Sequence, residues 1–222
     1  MSKPLPLEHG KYYHVYNRGN NRENIFIEER NYPYFLKLYA QHIFPIADTF
    51  AYCLMRNHFH LLVRIKTDEE IQKTLRVLET LRVSSKTLRV YQVFSNFFNA
   101  YTKAINKAYG RTGSLFEHPF GRIEVTPEAY YSRLVIYIHQ NPQKHGFVSH
   151  FSDWPYSSYH TLLSAKPTHL RRDDVLKWFG GVDNLAATHQ HEMIERQMAA
   201  QAQDRSLSRG HGLWRDKLPL VK

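Results

Sequence analysis

The sequence predicts an α+β fold: a ferredoxin-like βαββαβ antiparallel sheet with helices on one face, followed by a helical C-terminal extension. Three observations support this prediction. Runs of β-forming residues and runs with apolar residues at helical spacing follow the order strand, helix, strand, strand, helix, strand, helix. Two strand-like runs are separated by only two residues, which indicates a hairpin. A strong helix-start signal follows the last strand.

The N-terminal part of the chain predicts one strand and one helix. The strand covers Tyr12 to Asn17, and Arg18-Gly19-Asn20-Asn21 is a turn signal at its end. Glu29 to Ile43 carries apolar residues at helical spacing, and Pro45 ends that pattern. The hairpin then joins Thr49 to Met55 with His58 to Ile65.

The middle of the chain predicts further helices and the last strand. Asp68 to Arg111 contains no proline and alternates apolar and basic residues, so we expect two helices or one helix broken at Ser84-Ser85. Phe120 to Val125 predicts the final strand.

The helix after this strand has a marked start and end. Thr126 can cap it, and Pro127 suits its first position. Because a proline disfavours helical geometry in the residue before it, Pro142 predicts a helix end near Asn141.

We expect three segments along the chain. Residues 1–164 form the main domain, residues 165–203 a helical extension, and residues 204–222 a flexible basic tail. Within the extension, Arg171 to Phe179 and Asn184 to Gln203 predict helices.

The composition favours a polyanionic partner. The formal net charge is +10, and Ile71 to Ile123 contains nine basic residues against Glu79 and Glu117, with aromatic residues among them. Such a stretch suits nucleic acid, and the alternative is a solvated basic helix surface above an aromatic core face. The single Cys53 excludes a disulfide framework, and no apolar run is long enough to span a membrane. We therefore expect a cytoplasmic protein without membrane contact.

The most informative pair of residues is His58 and His60 in the third strand. Side chains at i and i+2 of a strand share one face, so the two imidazoles can reach one divalent metal while Phe59, Leu61 and Val63 face a core. The alternative is a pair of strand histidines with ordinary hydrogen bonds. His189 and His191 have the same spacing in a helix-like segment, where they point in different directions and cannot readily share a metal.

Tyr137 and Asn141 are the second informative pair. They are four residues apart on a predicted helix, so a phenol and an amide project from the same side. A tyrosine at helical spacing is more often a packing residue than a nucleophile, and Asn141 alone is typical of a helix end.

The sequence resembles the REP-associated tyrosine transposases, a branch of the single-tyrosine HUH transposases. The resemblance spans Tyr12 to Tyr159. It rests on five motifs in chain order, namely Tyr13-His14-Val15-Tyr16-Asn17-Arg18-Gly19-Asn20-Asn21, Asn57-His58-Phe59-His60-Leu61-Leu62, Arg111-Thr112-Gly113-Ser114-Leu115-Phe116, Tyr137-Ile138-His139-Gln140-Asn141-Pro142 with Gly146, and Asp153-Trp154-Pro155-Tyr156-Ser157-Ser158-Tyr159.

The resemblance implies an HUH catalytic domain over residues 1–164 that cuts and rejoins single-stranded DNA in a metal-dependent reaction. By this resemblance His58, His60 and Asn141 would hold Mg²⁺ or Mn²⁺, and Tyr137 would form a 5′-phosphotyrosine intermediate. A cation helps because a free phenol, with a pKa of about 10, is mostly protonated at neutral pH. The third ligand stays open, and the alternatives are His139, Gln140, Asn17 and Glu124.

The implied partner is a DNA hairpin from a repeat sequence with a single-stranded flank, bound by a monomer or a homodimer that is nucleoid-associated when on DNA. We expect phosphate contacts from Arg18, Arg22, Arg111 and Arg122, and base contacts from Asn20 or Asn21. For each arginine the alternative is a solvated loop charge. Alternatives for the whole protein are a catalytically idle hairpin-binding regulator of the same fold, and a rolling-circle initiator or relaxase.

Overall fold

The computed structural model describes residues 5–77, 89–126 and 130–191. Its sheet has four strands: β1 (Tyr12–Arg18), β2 (Ala47–Met55), β3 (His58–Ile65) and β4 (Gly121–Glu124). The helices are α1 (Asn31–His42), α2 (Asp68–Val77), α3 (Val90–Tyr109), α4 (Tyr130–Lys144), α5 (Tyr159–Leu163) and α6 (Arg172–Phe179). Residues 182–191 are also helical.

The sheet has the strand order β2-β3-β1-β4, and all neighbouring strands are antiparallel. This is the order of a ferredoxin-like sheet, so the predicted fold class is confirmed. The β2–β3 hairpin forms with Arg56 and Asn57 at its turn, as predicted.

One face of the sheet carries the apolar residues of β3. Phe59, Leu61 and Val63 are buried on this face, as the alternation predicts. Helices α1 and α3 cover this face. The ring of Phe35 in α1 lies 5.3 Å from the ring of Phe59, and the ring of Phe98 in α3 lies 5.7 Å from it.

The opposite face of the sheet is covered by the added helix α4 and by α6. The Tyr131 ring of α4 stacks 4.3 Å from Tyr12 of β1, and the Trp178 ring of α6 stacks 4.9 Å from Phe50 of β2. Helices α1 and α3 lie on one face of the sheet, as predicted. Helices α4 and α6 lie on the other face, which the prediction did not include. Burial of the second face by α4 is what brings a helix close to the two histidines of β3.

Helix α4 does not end at Asn141, and this prediction is wrong. The helix continues through Pro142 to Lys144, and the backbone N–H of His145 still donates to the carbonyl of Asn141. Pro142 lies in the last turn, where only one intrahelical hydrogen bond is lost, and its ring is buried by tertiary packing. The proposed start signal at Pro127 lies outside the described residues.

The chain after α4 packs on the sheet. Ser157 forms an isolated antiparallel bridge with Cys53 at the outer edge of β2, and the indole N–H of Trp154 donates to the carbonyl of Leu54. Helix α6 confirms the prediction for Arg171 to Phe179. The helix predicted from Asn184 is observed as far as residue 191, whereas residues 192–203, the tail 204–222 and the Ser84-Ser85 interruption lie outside the described residues. None of the helices in the described ranges combines the length and apolar character needed to cross a membrane.

Candidate active site

Tyr137 lies above the histidines of the sheet. The centroid of its ring is 5.7 Å from that of His60 and 6.0 Å from that of His14, in edge-to-face geometry. The phenol therefore shares a site with the pair that the sequence singles out. Tyr137 is partly buried against the core.

His58 and His60 point to the same side of β3, with their ring centroids 5.3 Å apart. The ring N–H at Nδ1 of His58 donates to Oδ1 of Asn57 at 2.7 Å, because an amide oxygen can only accept. This leaves the lone pair on Nε2 of His58. Burial lowers the pKa of His58 to about 3, with smaller contributions from His145 and Arg18. Burial, followed by the charges of His14 and His58, holds the pKa of His60 well below its ordinary value.

His14 is a third imidazole in this site, and it is buried like His60. Its Nε2 and the Nδ1 of His60 are hydrogen-bonded at 2.9 Å, and the two rings stack with centroids 5.0 Å apart. Burial lowers the pKa of His14 to about 4, so the ring is neutral at physiological pH.

Asn141 lies one helical turn after Tyr137 and is 1% exposed. Its Nδ2 donates to the backbone carbonyl of Tyr137 at 2.7 Å, which fixes the amide. Its Oδ1 is buried and has no hydrogen-bond partner among the residues that the structure describes. A buried amide oxygen without a donor is the kind of group that a hard divalent cation satisfies.

The alternative third ligands are engaged elsewhere. His139 is hydrogen-bonded to Ser158 and His189, and Nε2 of Gln140 donates to the carbonyl of His189. The strand register pairs Asn17 with Phe59 and Glu124 with Tyr13, which places both on the face opposite His58 and His60. Asn141 is therefore the candidate that the geometry favours.

No group of three or more His, Cys, Asp or Glu side chains suited to a metal ion occurs in the described part of the chain. The candidate set is of a different kind, because it combines two imidazoles with one amide oxygen. Imidazole nitrogens are common metal ligands and an amide oxygen is a hard ligand, so the chemistry of this set is compatible with Mn²⁺ or Mg²⁺.

Two further polar residues extend the site at the end of α4. The ammonium of Lys144 lies 5.6 Å from the centroid of the Tyr137 ring. The ring of His145 lies 4.8 Å from that of His58. Both were missed from the sequence because α4 was predicted to end at Asn141.

Three of the six predicted DNA contacts are exposed at one corner of the sheet. Arg18 is exposed at the end of β1, where its Cα pairs with that of His58. Asn21 and Arg22 are exposed in the following 3₁₀ turn, and both have positive φ angles of 52° and 62°. Asn20 is less available, because its Nδ2 donates to the carbonyl of Ser114 at 3.1 Å.

Arg111 and Arg122 have partners within the chain. Arg111 forms an ion pair with Glu23 and donates to Oδ1 of Asn106. The Arg122 guanidinium lies 4.9 Å from the ring of Tyr91 and 4.8 Å from that of Phe120, and it donates to the carbonyl of Leu5. To contact a phosphate, as predicted, each of these arginines would have to leave its partner within the chain or bind the partner and the phosphate together.

The aromatic residues of α3 belong mainly to the core, as the alternative interpretation had it. Phe94, Phe97, Phe98 and Tyr101 are buried, whereas Tyr91 is 40% exposed. The polar side of α3 borders an open groove of about 270 Å³. The groove is lined by Phe98, Asn99, Thr102, Lys103, Asn106, Gly113, Ser114, Phe116 and His118.

Comparison with known proteins agrees with the sequence motifs. Over 119 residues the chain is 24% identical to a protein of Haemophilus influenzae named "Putative REP-associated tyrosine transposase". The match covers 54% of this chain and 62% of that relative, so the chain spans less than two thirds of the length of the curated relative. No family model matches the chain.

A solved structure shares the fold. It is described as a REP-associated tyrosine transposase bound to a REP hairpin, and it superposes with a TM-score of 0.52 at 18% identity, covering 75% of this chain and 89% of that one. The chain resembles REP-associated tyrosine transposases in sequence and in fold. At this identity the structural likeness to a REP-associated tyrosine transposase establishes the fold alone.

The structure also shows which site residues the sequence did not indicate. His14 could have been noticed, because Tyr12, His14 and Tyr16 alternate along β1 and must share a face. Its contact with His60 depends on the pairing of β1 with β3, which the sequence does not reveal.

Proposed function

We propose that this chain cuts and rejoins single-stranded DNA next to a hairpin through a covalent link between Tyr137 and a 5′ phosphate. The observation that carries the proposal is the position of Tyr137, a helix residue, 5.7 Å from His60 of the strand histidine pair. The resemblance to REP-associated tyrosine transposases, one of which is described as bound to a REP hairpin, supports the choice of substrate.

The covalent step exchanges one phosphodiester bond for another. Oη of Tyr137 attacks the scissile phosphorus and loses its proton, while the bond from phosphorus to O3′ breaks and the 3′ oxygen takes up a proton. In the rejoining step a 3′-hydroxyl attacks the phosphotyrosine, and the phenol is released. Because the phosphotyrosine retains a phosphodiester bond, rejoining requires no nucleotide cofactor.

Charges near Tyr137 favour this step. The Lys144 ammonium, 5.6 Å from the ring centroid, would stabilise negative charge that develops on the phenol oxygen and on the phosphate. Arg18, exposed beside His58, supplies a second cation at the edge of the site.

A divalent cation fits the remaining groups. Nε2 of His58, Nε2 of His60 and the buried Oδ1 of Asn141 are the atoms that would hold Mg²⁺ or Mn²⁺. When bound, the cation stabilises negative charge on the phosphate and orients it.

The DNA would run from the exposed turn toward Tyr137. Arg18 and Arg22 provide cations for backbone phosphates, and the exposed amide of Asn21 can contact a base edge. The groove beside α3, with Lys103 and several amide and hydroxyl groups, offers a second polar surface next to this turn. A hairpin with a short unpaired flank can contact both surfaces.

The decisive experiment compares the unaltered chain with Tyr137→Phe. This substitution removes the attacking oxygen but keeps the ring that packs against His14 and His60. With Mn²⁺ and a labelled hairpin that carries a single-stranded flank, we expect a covalent protein–DNA adduct from the unaltered chain and none from the variant. Hairpin binding should be equal in both.

Tyr34→Phe is the matched control, because Tyr34 is an exposed tyrosine on α1, which covers the opposite face of the sheet. It should form the adduct at the normal rate. Adduct formation by Tyr137→Phe would rule out Tyr137 as the nucleophile. Tight hairpin binding by the unaltered chain without any adduct would favour the idle regulator instead, and a preference for plain duplex of equal length would remove the proposed substrate.

A further inference from the structure

His14 has no part in the covalent step, yet it contacts two members of the candidate site. Its ring stacks on His60 at 5.0 Å and meets Tyr137 edge to face at 6.0 Å. The side chain is 5% exposed, so solvent does not account for its polarity. An apolar residue of similar volume would fill the same space.

The hydrogen bond between His14 and His60 restricts where protons can lie. It joins Nε2 of His14 to Nδ1 of His60 at 2.9 Å, and only one of these nitrogens can carry the shared hydrogen. If His60 donates, its Nδ1 is protonated and its Nε2 has a lone pair. If His14 donates, a neutral His60 carries its hydrogen on Nε2, which then cannot bind a metal ion.

We propose that His14 accepts the hydrogen bond from Nδ1 of His60 and thereby positions His60 with Nε2 free for a divalent cation. The inference rests on the proposed function, because it assigns His60 as a metal ligand. His14 is thus a positioning residue that acts through His60. Metal-binding histidines generally donate their second ring N–H to such an outer partner.

His58 has the same arrangement with a different partner. Its Nδ1 donates to Oδ1 of Asn57 at 2.7 Å, which also leaves Nε2 free. With His14 as the acceptor for His60, both candidate ligands would bind the ion through Nε2, while Nδ1 of each ring donates to an acceptor within the chain. This parallel supports the accepting role of His14, because it makes both strand histidines equivalent toward one ion.

The test uses the full chain without DNA, and Mn²⁺ as the probe. His14→Phe keeps the ring volume but has no acceptor, and His14→Gln restores an acceptor oxygen. We expect calorimetry to show Mn²⁺ affinity reduced by roughly 10–100-fold in His14→Phe and partly recovered in His14→Gln. His160→Ala, which removes an exposed histidine of α5, should bind Mn²⁺ as the unaltered chain does.

A second measurement reads the tautomer directly. Long-range ¹H–¹⁵N NMR of the metal-free unaltered chain should show His60 protonated on Nδ1 and unprotonated on Nε2. A proton on Nε2 of His60, or normal Mn²⁺ affinity in a folded His14→Phe variant, would overturn the role of His14. Failure of the unaltered chain to bind Mn²⁺ would instead overturn the metal part of the proposed function. If His14→Phe does not fold, the tautomer still decides.

Discussion

At the scale of single residues, the candidate site depends on side chains that repeat along one strand and one helix, and on side chains that packing brings to them from other elements. His58 and His60 are two positions apart in β3, so their shared face follows from strand geometry alone. Asn141 follows Tyr137 by one helical turn, and the structure shows an amide held by the Tyr137 carbonyl. His14 and His145 were missed because each meets a histidine from another element, and such contacts depend on packing.

The strand histidines give the sharpest prediction at this scale. Replacing His58 or His60 by Ala removes a candidate metal ligand, so we expect Mn²⁺-dependent cleavage to fall by more than the roughly 10–100-fold that loss of an outer partner costs. Gel assays of DNA cleavage with increasing Mn²⁺ will measure this loss.

The control for these variants is His191→Ala. Sequence spacing alone pairs His189 with His191. His189 is fully buried and hydrogen-bonded to His139, so only the exposed His191 can be truncated to Ala without leaving a buried partner unsatisfied. Cleavage by His191→Ala should be normal. Equal losses in the strand variants and in His191→Ala would mean that the strand position of the histidines is irrelevant.

At the scale of elements, the order of strands and helices was predictable, but the end of α4 was not. Pro142 does remove one backbone hydrogen bond from α4. Burial of the last turn stabilises the helix by more than this loss, so the helix continues past the proline. The position of α4 depends on distant groups, since His139 bonds to Ser158 at 2.7 Å and to His189 at 2.8 Å. Such partners lie 19 and 50 residues away, beyond any local pattern.

The pairing of β1 with β4 depends on a glycine. A Cβ added to Gly121 would lie 2.3 Å from the ring of Tyr16, which occupies the space above that residue. Gly121→Ala must therefore displace the ring, and we expect a loss of about 1–3 kcal/mol in the free energy of unfolding. Urea denaturation will measure it.

The double variant Gly121→Ala with Tyr16→Val tests the mechanism of that loss. Because the smaller side chain removes the clash, the second substitution should cost less in the alanine background than alone. Strictly additive losses would show that the ring is not the cause.

At the scale of the whole molecule, the C-terminal extension is part of the packed structure over its described length. Trp178 of α6 stacks on Phe50, and His189 lies between Phe151, Tyr159 and Phe179. The sequence predicted these helices but not where they pack, because their apolar faces do not specify a partner. One consequence is that His14, His60, His139 and His189 are buried on the α4 side of the sheet.

These buried histidines make the stability of the protein depend on pH. Burial lowers the pKa of His14 and of His189 to about 4 and that of His58 to about 3, and it holds the pKa values of His60 and His139 well below the ordinary range. An unfolded chain takes up these protons near pH 6.5, the ordinary value for histidine. Between that pH and about 4 the unfolded state binds more protons, so acid must destabilise the folded state.

We therefore expect the free energy of unfolding to change little between about pH 7 and pH 8 and to fall as the pH drops from about 6.5 toward 4.5, by up to about 1.4 kcal/mol per pH unit for each such histidine. This window separates the histidines from Glu70, because the Arg64 guanidinium lowers the pKa of that carboxyl from 4.5 and its contribution to stability is lost only at lower pH.

Urea denaturation at a series of pH values, without metal or DNA, measures the slope of the free energy of unfolding against pH. His189→Gln keeps a hydrogen-bonding side chain but does not titrate. In this variant the free energy of unfolding should therefore change less per pH unit, by the contribution of one buried histidine. A free energy of unfolding that does not change across the window would show that these imidazoles are not buried in solution.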